Sequence, residues 1–294
     1  MGLSPVRTAI ALLGVSLVLV LSVAAPAMAQ EAVICTKLEK RLDNSKFDLE
    51  GGNDKVNLGK GNDKAQGGSG RDKLNGGPGR DMLVGGSGRD KLKGGGGNDV
   101  LCGAGEGDRV EGGKGKDEVY GEEREDRVFG GPGEDYVLGS QGEDRVVGWG
   151  RKRGAITTDD NDEIDGGHQN DRVEGAGVDI ILGGSGDDVL RTLTPEITPK
   201  RFDGGGQDDT LFGSDGNDLM YGGEHGKDTI FGGLGNDDIF GLSSNDSLFG
   251  EAGNDHLRGG DGKDDLHGGD DTDVCDGGDQ EDTAEGCETE QGIP

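Results

Sequence analysis

Three observations predict an all-β fold of short repeated strands. A nine-residue unit recurs in fixed phase, glycine fills 64 of 294 positions, and hydrophobic residues make up only 29%. A chain so composed cannot bury enough apolar surface for an ordinary globular core. Repetition at a fixed period then outweighs every other signal in setting the architecture. The formal net charge of −30 adds a condition: the chain stays disordered unless something neutralises its acids. The same charge argues against nucleic acid and anionic membrane as partners.

The unit is clearest from Gly67 to Cys102, which reads GGSGRDKLN, GGPGRDMLV, GGSGRDKLK, GGGGNDVLC. Its general form is Gly-Gly-x-Gly-x-Asp-x-U-x, with U aliphatic. Three glycines in six residues are too flexible for a helix and too costly for an ordinary strand. They suit a turn that needs positive φ and close approach of backbones. The Asp that ends each turn is a hard anionic oxygen ligand. Carboxylates repeated beside inward-curling carbonyls describe a Ca²⁺ site, whereas Zn²⁺ would want Cys or His. The aliphatic residue two places on (Leu74, Leu83, Leu92, Leu101) makes a short strand with one inward side chain.

These residues resemble the RTX (repeats-in-toxin, haemolysin-type) calcium-binding nonapeptide-repeat family. The resemblance implies a parallel β-roll, a β-solenoid in which two nonapeptides complete one coil. It implies multiple Ca²⁺ ions between turns stacked on the same side, so that Asp72 shares an ion with the turn of Asp90, and Asp81 with that of Asp99. Carried along the chain, the implied ligands are Asp54, Asp63, Asp72, Asp81, Asp90, Asp99, Asp108, Asp117, Asp135, Asp144, Asp162 and Asp171. They continue through Asp188, Asp209, Asp218, Asp228, Asp237, Asp246, Asp255, Asp264 and Asp273. The turn before Asp126, Glu122-Glu123-Arg124-Glu125, lacks its glycines and reads as a weak site.

Taken in order, residues 1–29 hold one charge, Arg7, an apolar run from Ala9 to Ala25 and the small-residue site Ala27-Met28-Ala29. This reads as a signal peptide cut between Ala29 and Gln30, hence a secreted protein with no membrane span after cleavage. Residues 30–50 are expected to cap the open end of the roll. Block 1 spans 51–190. Its ninefold register runs without slipping from Asp54 to Asp171 as fourteen units, or seven coils. Arg153 takes the place of one Asp there, with Ala155 as that unit's inward residue. Residues 191–203 carry Pro195 and Pro199, which cannot join a ladder, and read as an insertion or linker. Block 2 spans 204–285, with one extra residue before Asp228, and 286–294 is a tail.

Four cysteines, Cys35, Cys102, Cys275 and Cys287, in an exported chain point to disulfides with three possible connectivities. Cys275 falls on an inward position near the end, so a bridge to Cys287 would pin the last turn. The flanks of U face outward. On one sheet they form a basic ladder, Lys55, Lys73, Lys91, Arg109, Arg127 and Arg145. On the other they form an apolar stripe of Met82, Val84, Val100, Cys102, Tyr120, Tyr136, Leu138 and Ile156. Residues 32–38 are expected to lie across that stripe, tied by Cys35–Cys102. Phe212, Tyr221, Phe231, Phe240 and Phe249 should stack in ladders outside block 2.

The sequence holds no HExxH, G-x-S-x-G or Walker A signature, and its four histidines fall at unrelated repeat positions. The expected function is therefore a non-enzymatic, exported calcium-binding repeat protein with a structural or adhesive role. Its partners would be calcium ions and a cell-surface polysaccharide or another protein. The competing expectation is a secreted enzyme or toxin whose active segment is unrecognised, such as 191–203, with the roll as its folding module.

Overall fold

Each repeat contributes a short strand and a sharp turn, and the turns alternate the strands between two walls. A computed structural model describes residues 49–148, 162–175, 180–186, 188–192 and 200–292. The expected signal peptide, most of the expected 30–50 cap, Cys35, and the positions Arg153, Ala155 and Ile156 lie outside the described residues. Among the described residues twenty-six strands run from β1 (Lys55–Asn57) to β26 (Thr289–Gln291). Odd-numbered strands form one thirteen-stranded sheet and even-numbered strands the other, and every pairing is parallel, as in Val56↔Leu74 and Leu83↔Leu101. Thirteen strands at about 4.8 Å make a solenoid roughly 58 Å long.

The core is a double row of single side chains, one per repeat. Leu83, Leu101, Val119, Val137 and Ile164 come from one sheet; Leu74, Leu92, Val110, Val128 and Val146 come from the other. All are buried because the period of two along a strand turns U inward and its flanks outward. The narrow interior leaves no space for a side chain on the first glycine of the unit. A Cβ on Gly67 would lie 2.4 Å from Asp72 Oδ2 and 2.6 Å from the Gly85 carbonyl oxygen.

The register differs from the expected one at two places. Val137 pairs with Ile164 and Val146 with Val173, and the turn bonds there join residues 27 apart. Nine residues more than one coil therefore separate these partners, which pair directly. The in-phase count of seven coils is corrected accordingly: fixed phase in sequence does not fix which units pair, because nine further residues leave the register the same. A second consequence follows for the faces. Arg145 pairs with Arg172, so the basic ladder runs one coil further than expected.

The other difference falls at the proline segment. Arg191 and Thr192 end β15 (Val189–Thr192), and Arg201–Asp203 open β16 (Arg201–Gly206). Ile181 pairs with Phe202 and Leu190 with Leu211, so both sheets run unbroken past the segment expected to be an insertion or linker. Phe202 is fully buried in the core row, a place the sequence reading left empty. The extra residue before Asp228 appears as a register shift opposite Gly205 and Gly206.

Both ends of the described solenoid are closed by specific groups. Leu49 packs on the core, and its N–H donates to the Gln66 carbonyl. At the other end Cys275 and Cys287 form the expected disulfide. Glu288 Oε2 accepts the Asp273 N–H at 2.6 Å, the bond that an Asp carboxylate makes in the preceding coils.

The outward stripe is not exposed. Val84, Cys102 and Leu138 have no solvent contact, and Met82 and Tyr120 very little. Cys102 is disulfide-bonded; its expected partner, Cys35, lies outside the described residues. The aromatic ladders form as expected. Phe212, Phe231, Phe249 and His267 stack at 4.8–5.1 Å, and Tyr221 stacks on Phe240 at 5.1 Å. Both faces of Phe231 and Phe249 are taken by neighbouring rings, so these rings clasp successive coils together.

Candidate metal centres

The turn Asp side chains form two buried columns, one along each edge of the solenoid. In each, the backbone N–H of one Asp donates to Oδ1 of the Asp one coil on. Asp72 N–H bonds Asp90 Oδ1 at 2.7 Å, Asp90 bonds Asp108 at 2.7 Å, Asp81 bonds Asp99 at 2.8 Å and Asp99 bonds Asp117 at 2.8 Å. The residue after each Asp donates its own N–H back to the carbonyl of the Asp one coil earlier, as Lys91 does to Asp72 at 2.9 Å. Same-side turns are thus in direct contact, as the pairing of Asp72 with Asp90 and of Asp81 with Asp99 requires.

Oδ1 is satisfied in this way, but Oδ2 is not. The Oδ2 atoms of Asp72, Asp81, Asp90, Asp99, Asp117, Asp237 and Asp264, all in complete repeats, are buried with no hydrogen-bond partner. A buried carboxylate oxygen left unpartnered is costly, and one per turn is a periodic demand for a cation. The backbone around it is shaped by glycine. Gly70 has φ +132°, and a Cβ there would sit 1.5 Å from the Gly52 carbonyl oxygen of the previous coil. Carbonyls and carboxylates are the donor set that Ca²⁺ takes. Among the described residues no group of three or more His, Cys, Asp or Glu side chains gathers, so a metal here would draw on main-chain oxygens as well.

Electrostatics agree. Burial raises the Asp108 carboxyl to about 8, against the opposing effect of the Asp90 N–H. Burial lifts Asp99 and Asp237 to about 7, and Asp126 and Asp171 to about 9. Low local dielectric disfavours each charge, and the neighbouring Asp in the column adds to the effect.

The structure places every predicted ligand at the same point of the repeat, from Asp54 and Asp63, which are half-buried, to Asp273. Asp126, expected to be weak, occupies the same place: Asp108 N–H reaches its Oδ1 at 2.6 Å. Glu122 and Arg124 keep the turn shape by adopting φ of 88° and 80°. One turn has its Asp replaced by a cation. Lys200 is buried where Asp would stand, its N–H bonds Asp218 Oδ1 at 2.9 Å, and its Nζ donates to the Asp215 carbonyl at 2.8 Å. Arg153, the cation expected in such a place from the sequence, lies outside the described residues. A row of Asn side chains was also missed. Asn53, Asn62 and Asn98 accept the N–H of Arg71, Arg80 and Lys116 at 2.8–3.1 Å. The recurring Asn-Asp pairs were the available signal.

Two stacks of turns, each lined with buried carboxylates and glycine-cradled carbonyls, define a parallel β-solenoid with two columns of candidate cation sites. The family model of the RTX calcium-binding nonapeptide repeat (4 copies) matches residues 49–83, 75–110, 103–135, 111–146, 155–177, 201–224, 226–257 and 249–284. The chain belongs to this calcium-binding family. No curated protein matches it.

Proposed function

We propose that this is an exported, non-enzymatic repeat protein that folds on calcium and presents its outer faces to a partner. The observation that carries the reading is the unpartnered, buried Oδ2 that recurs in the complete repeats, as in Asp72, Asp81, Asp90, Asp99, Asp117, Asp237 and Asp264, beside glycine-cradled carbonyls. The ligands are the turn Asp residues from Asp54 to Asp273 named above, each working with main-chain oxygens of the turn stacked against it. A bound Ca²⁺ supplies the positive charge that lets these carboxylates stay ionised inside the solenoid. The chain's own residues then do the rest. Oδ1 fixes the coil spacing through its N–H bond, U fills the core, and the glycines allow the turns to touch.

Since the ion binds the folded chain and not the disordered one, each site adds RT ln(1 + [Ca²⁺]/Kd), about 2.7 kcal/mol at a hundred times Kd. Mg²⁺ demands smaller, near-octahedral geometry and holds its water, so it should substitute poorly. The test is far-UV circular dichroism of residues 30–294 during calcium titration from a metal-free start. The expected result is a cooperative coil-to-β transition that magnesium does not reproduce. A spectrum indifferent to calcium would overturn the reading.

A further inference from the structure

A continuous groove runs beside the odd-numbered sheet, with a cavity volume of about 1520 Å³. Its wall is the basic ladder, in which Lys73↔Lys91, Arg109↔Arg127 and Arg145↔Arg172 are direct cross-strand partners. Its floor is one of the two Asp columns, Asp72 through Asp171. Lys73, Lys91, Arg127 and Arg172 are exposed and form no ion pair among the described residues, whereas Arg109 and Arg145 are paired with Glu111 and Glu174. A ladder that existed only to balance local carboxylates would be paired throughout.

The charge of the groove depends on its floor. Ten Lys and Arg line it against ten Asp and Glu, and six of those acids are the turn Asp residues. Without a cation the lining is formally neutral. With the column neutralised by metal, ten cations face four glutamates. We propose that this groove is a calcium-gated docking site for an extended anionic polysaccharide, one bearing a carboxylate or sulfate at regular intervals. The inference rests on the calcium-binding reading above. The ladder is straight and repeats once per strand, at about 4.8 Å, close to the length of one sugar ring in an extended chain. A linear acidic glycan keeps its charges in such a line. The phosphates of duplex DNA come every 3.4 Å or so along each strand and wind away from a straight wall.

The experiment measures binding of a fluorescent heparin-derived oligosaccharide to the full secreted chain, with neutral dextran and duplex DNA as comparison probes. In saturating calcium, heparin should bind, weaken as salt rises and outcompete DNA; dextran should not bind. Neutralising three unpaired cations, Lys91→Gln, Arg127→Gln and Arg172→Gln together, should weaken binding by about tenfold for each cation removed, with the chain still folding on calcium. Arg258→Gln with Lys263→Gln, at the far end of the solenoid, should leave it unchanged. Should the triple variant not fold, Glu125→Gln with Glu143→Gln gives an opposite readout, since it should tighten binding. Equal loss in both cation variants, no tightening in the glutamate variant, or DNA binding as well as heparin would overturn the proposal. A chain that folds on calcium yet ignores heparin would sink the groove alone; a chain that does not fold on calcium would sink the function it rests on.

Discussion

Protons should be able to do part of calcium's work. In metal-free buffer burial raises several turn Asp residues above the ordinary 3.8, with Asp108 at about 8. A raised folded value contributes stability that is fully present below the unfolded value and is lost as pH rises through the folded one. For Asp108, which is 4% exposed, the linkage between pH 5 and pH 8 is on the order of 4 kcal/mol in favour of the solenoid at pH 5. Asp99, Asp144 and Asp246 at about 7 act in the same direction. A few such residues reach the whole stability of an ordinary domain, about 5–15 kcal/mol. The assay is far-UV circular dichroism in calcium-free buffer as pH falls from 8 to 5, staying above the sequence pI of about 4.3. β structure should appear without metal as pH falls, and the calcium midpoint should rise because protons compete for the same oxygens. Asp108→Asn keeps the Oδ1 acceptor and removes the charge, so its metal-free folding should depend less on pH while its calcium midpoint rises. If the metal-free chain stays disordered at pH 5 with its Asp residues able to protonate, the argument that uncompensated burial of these carboxylates keeps it unfolded is wrong.

Further expectations concern particular residues. Removing the Cys275–Cys287 bridge with Cys275→Ser should cost about 3 kcal/mol for a loop of 12 residues, read as a lower thermal midpoint in calcium. Leu242 sits at φ 80° and is 38% exposed; Leu242→Gly should relieve about 1 kcal/mol of left-handed strain and raise that midpoint, whereas a fall would mean its side chain packs usefully. Peptide mapping without reduction should recover Cys102 joined to Cys35 as the tie of a segment covering the apolar stripe, and Cys102 joined to any other residue would remove that explanation of the stripe's burial. Lys200→Asp should add one bound calcium per chain by equilibrium dialysis, if the buried position that Lys200 fills is a ligand position like the others.

The repeat was enough to determine the local unit. Gly70 and its counterparts need positive φ, Asp72 ends the turn, and Leu74 turns inward because a strand has period two; all three are short-range facts that recur in every unit. The stacking of like on like follows from the same phase, which is why the ladder from Lys55 to Arg145 and the rings from Phe212 to Phe249 were legible. The disulfide at Cys275 followed from its place in the inward row.

What the period could not decide is which units pair with which. Nine residues beyond one coil preserve phase in sequence while exchanging which sheet the following units join, so only the pairing of Val146 with Val173 shows that Arg172, not Glu163, extends the basic ladder. The proline segment hid one more strand, because Lys200 and Phe202 lack both glycine and Asp signals, and their places are set by partners one coil away in Asp218 and Met220. The same reason explains the stripe and the groove. Whether Val84 is covered and whether Lys91 meets an acid depend on residues distant in sequence, and those distances are fixed only once the coils are stacked.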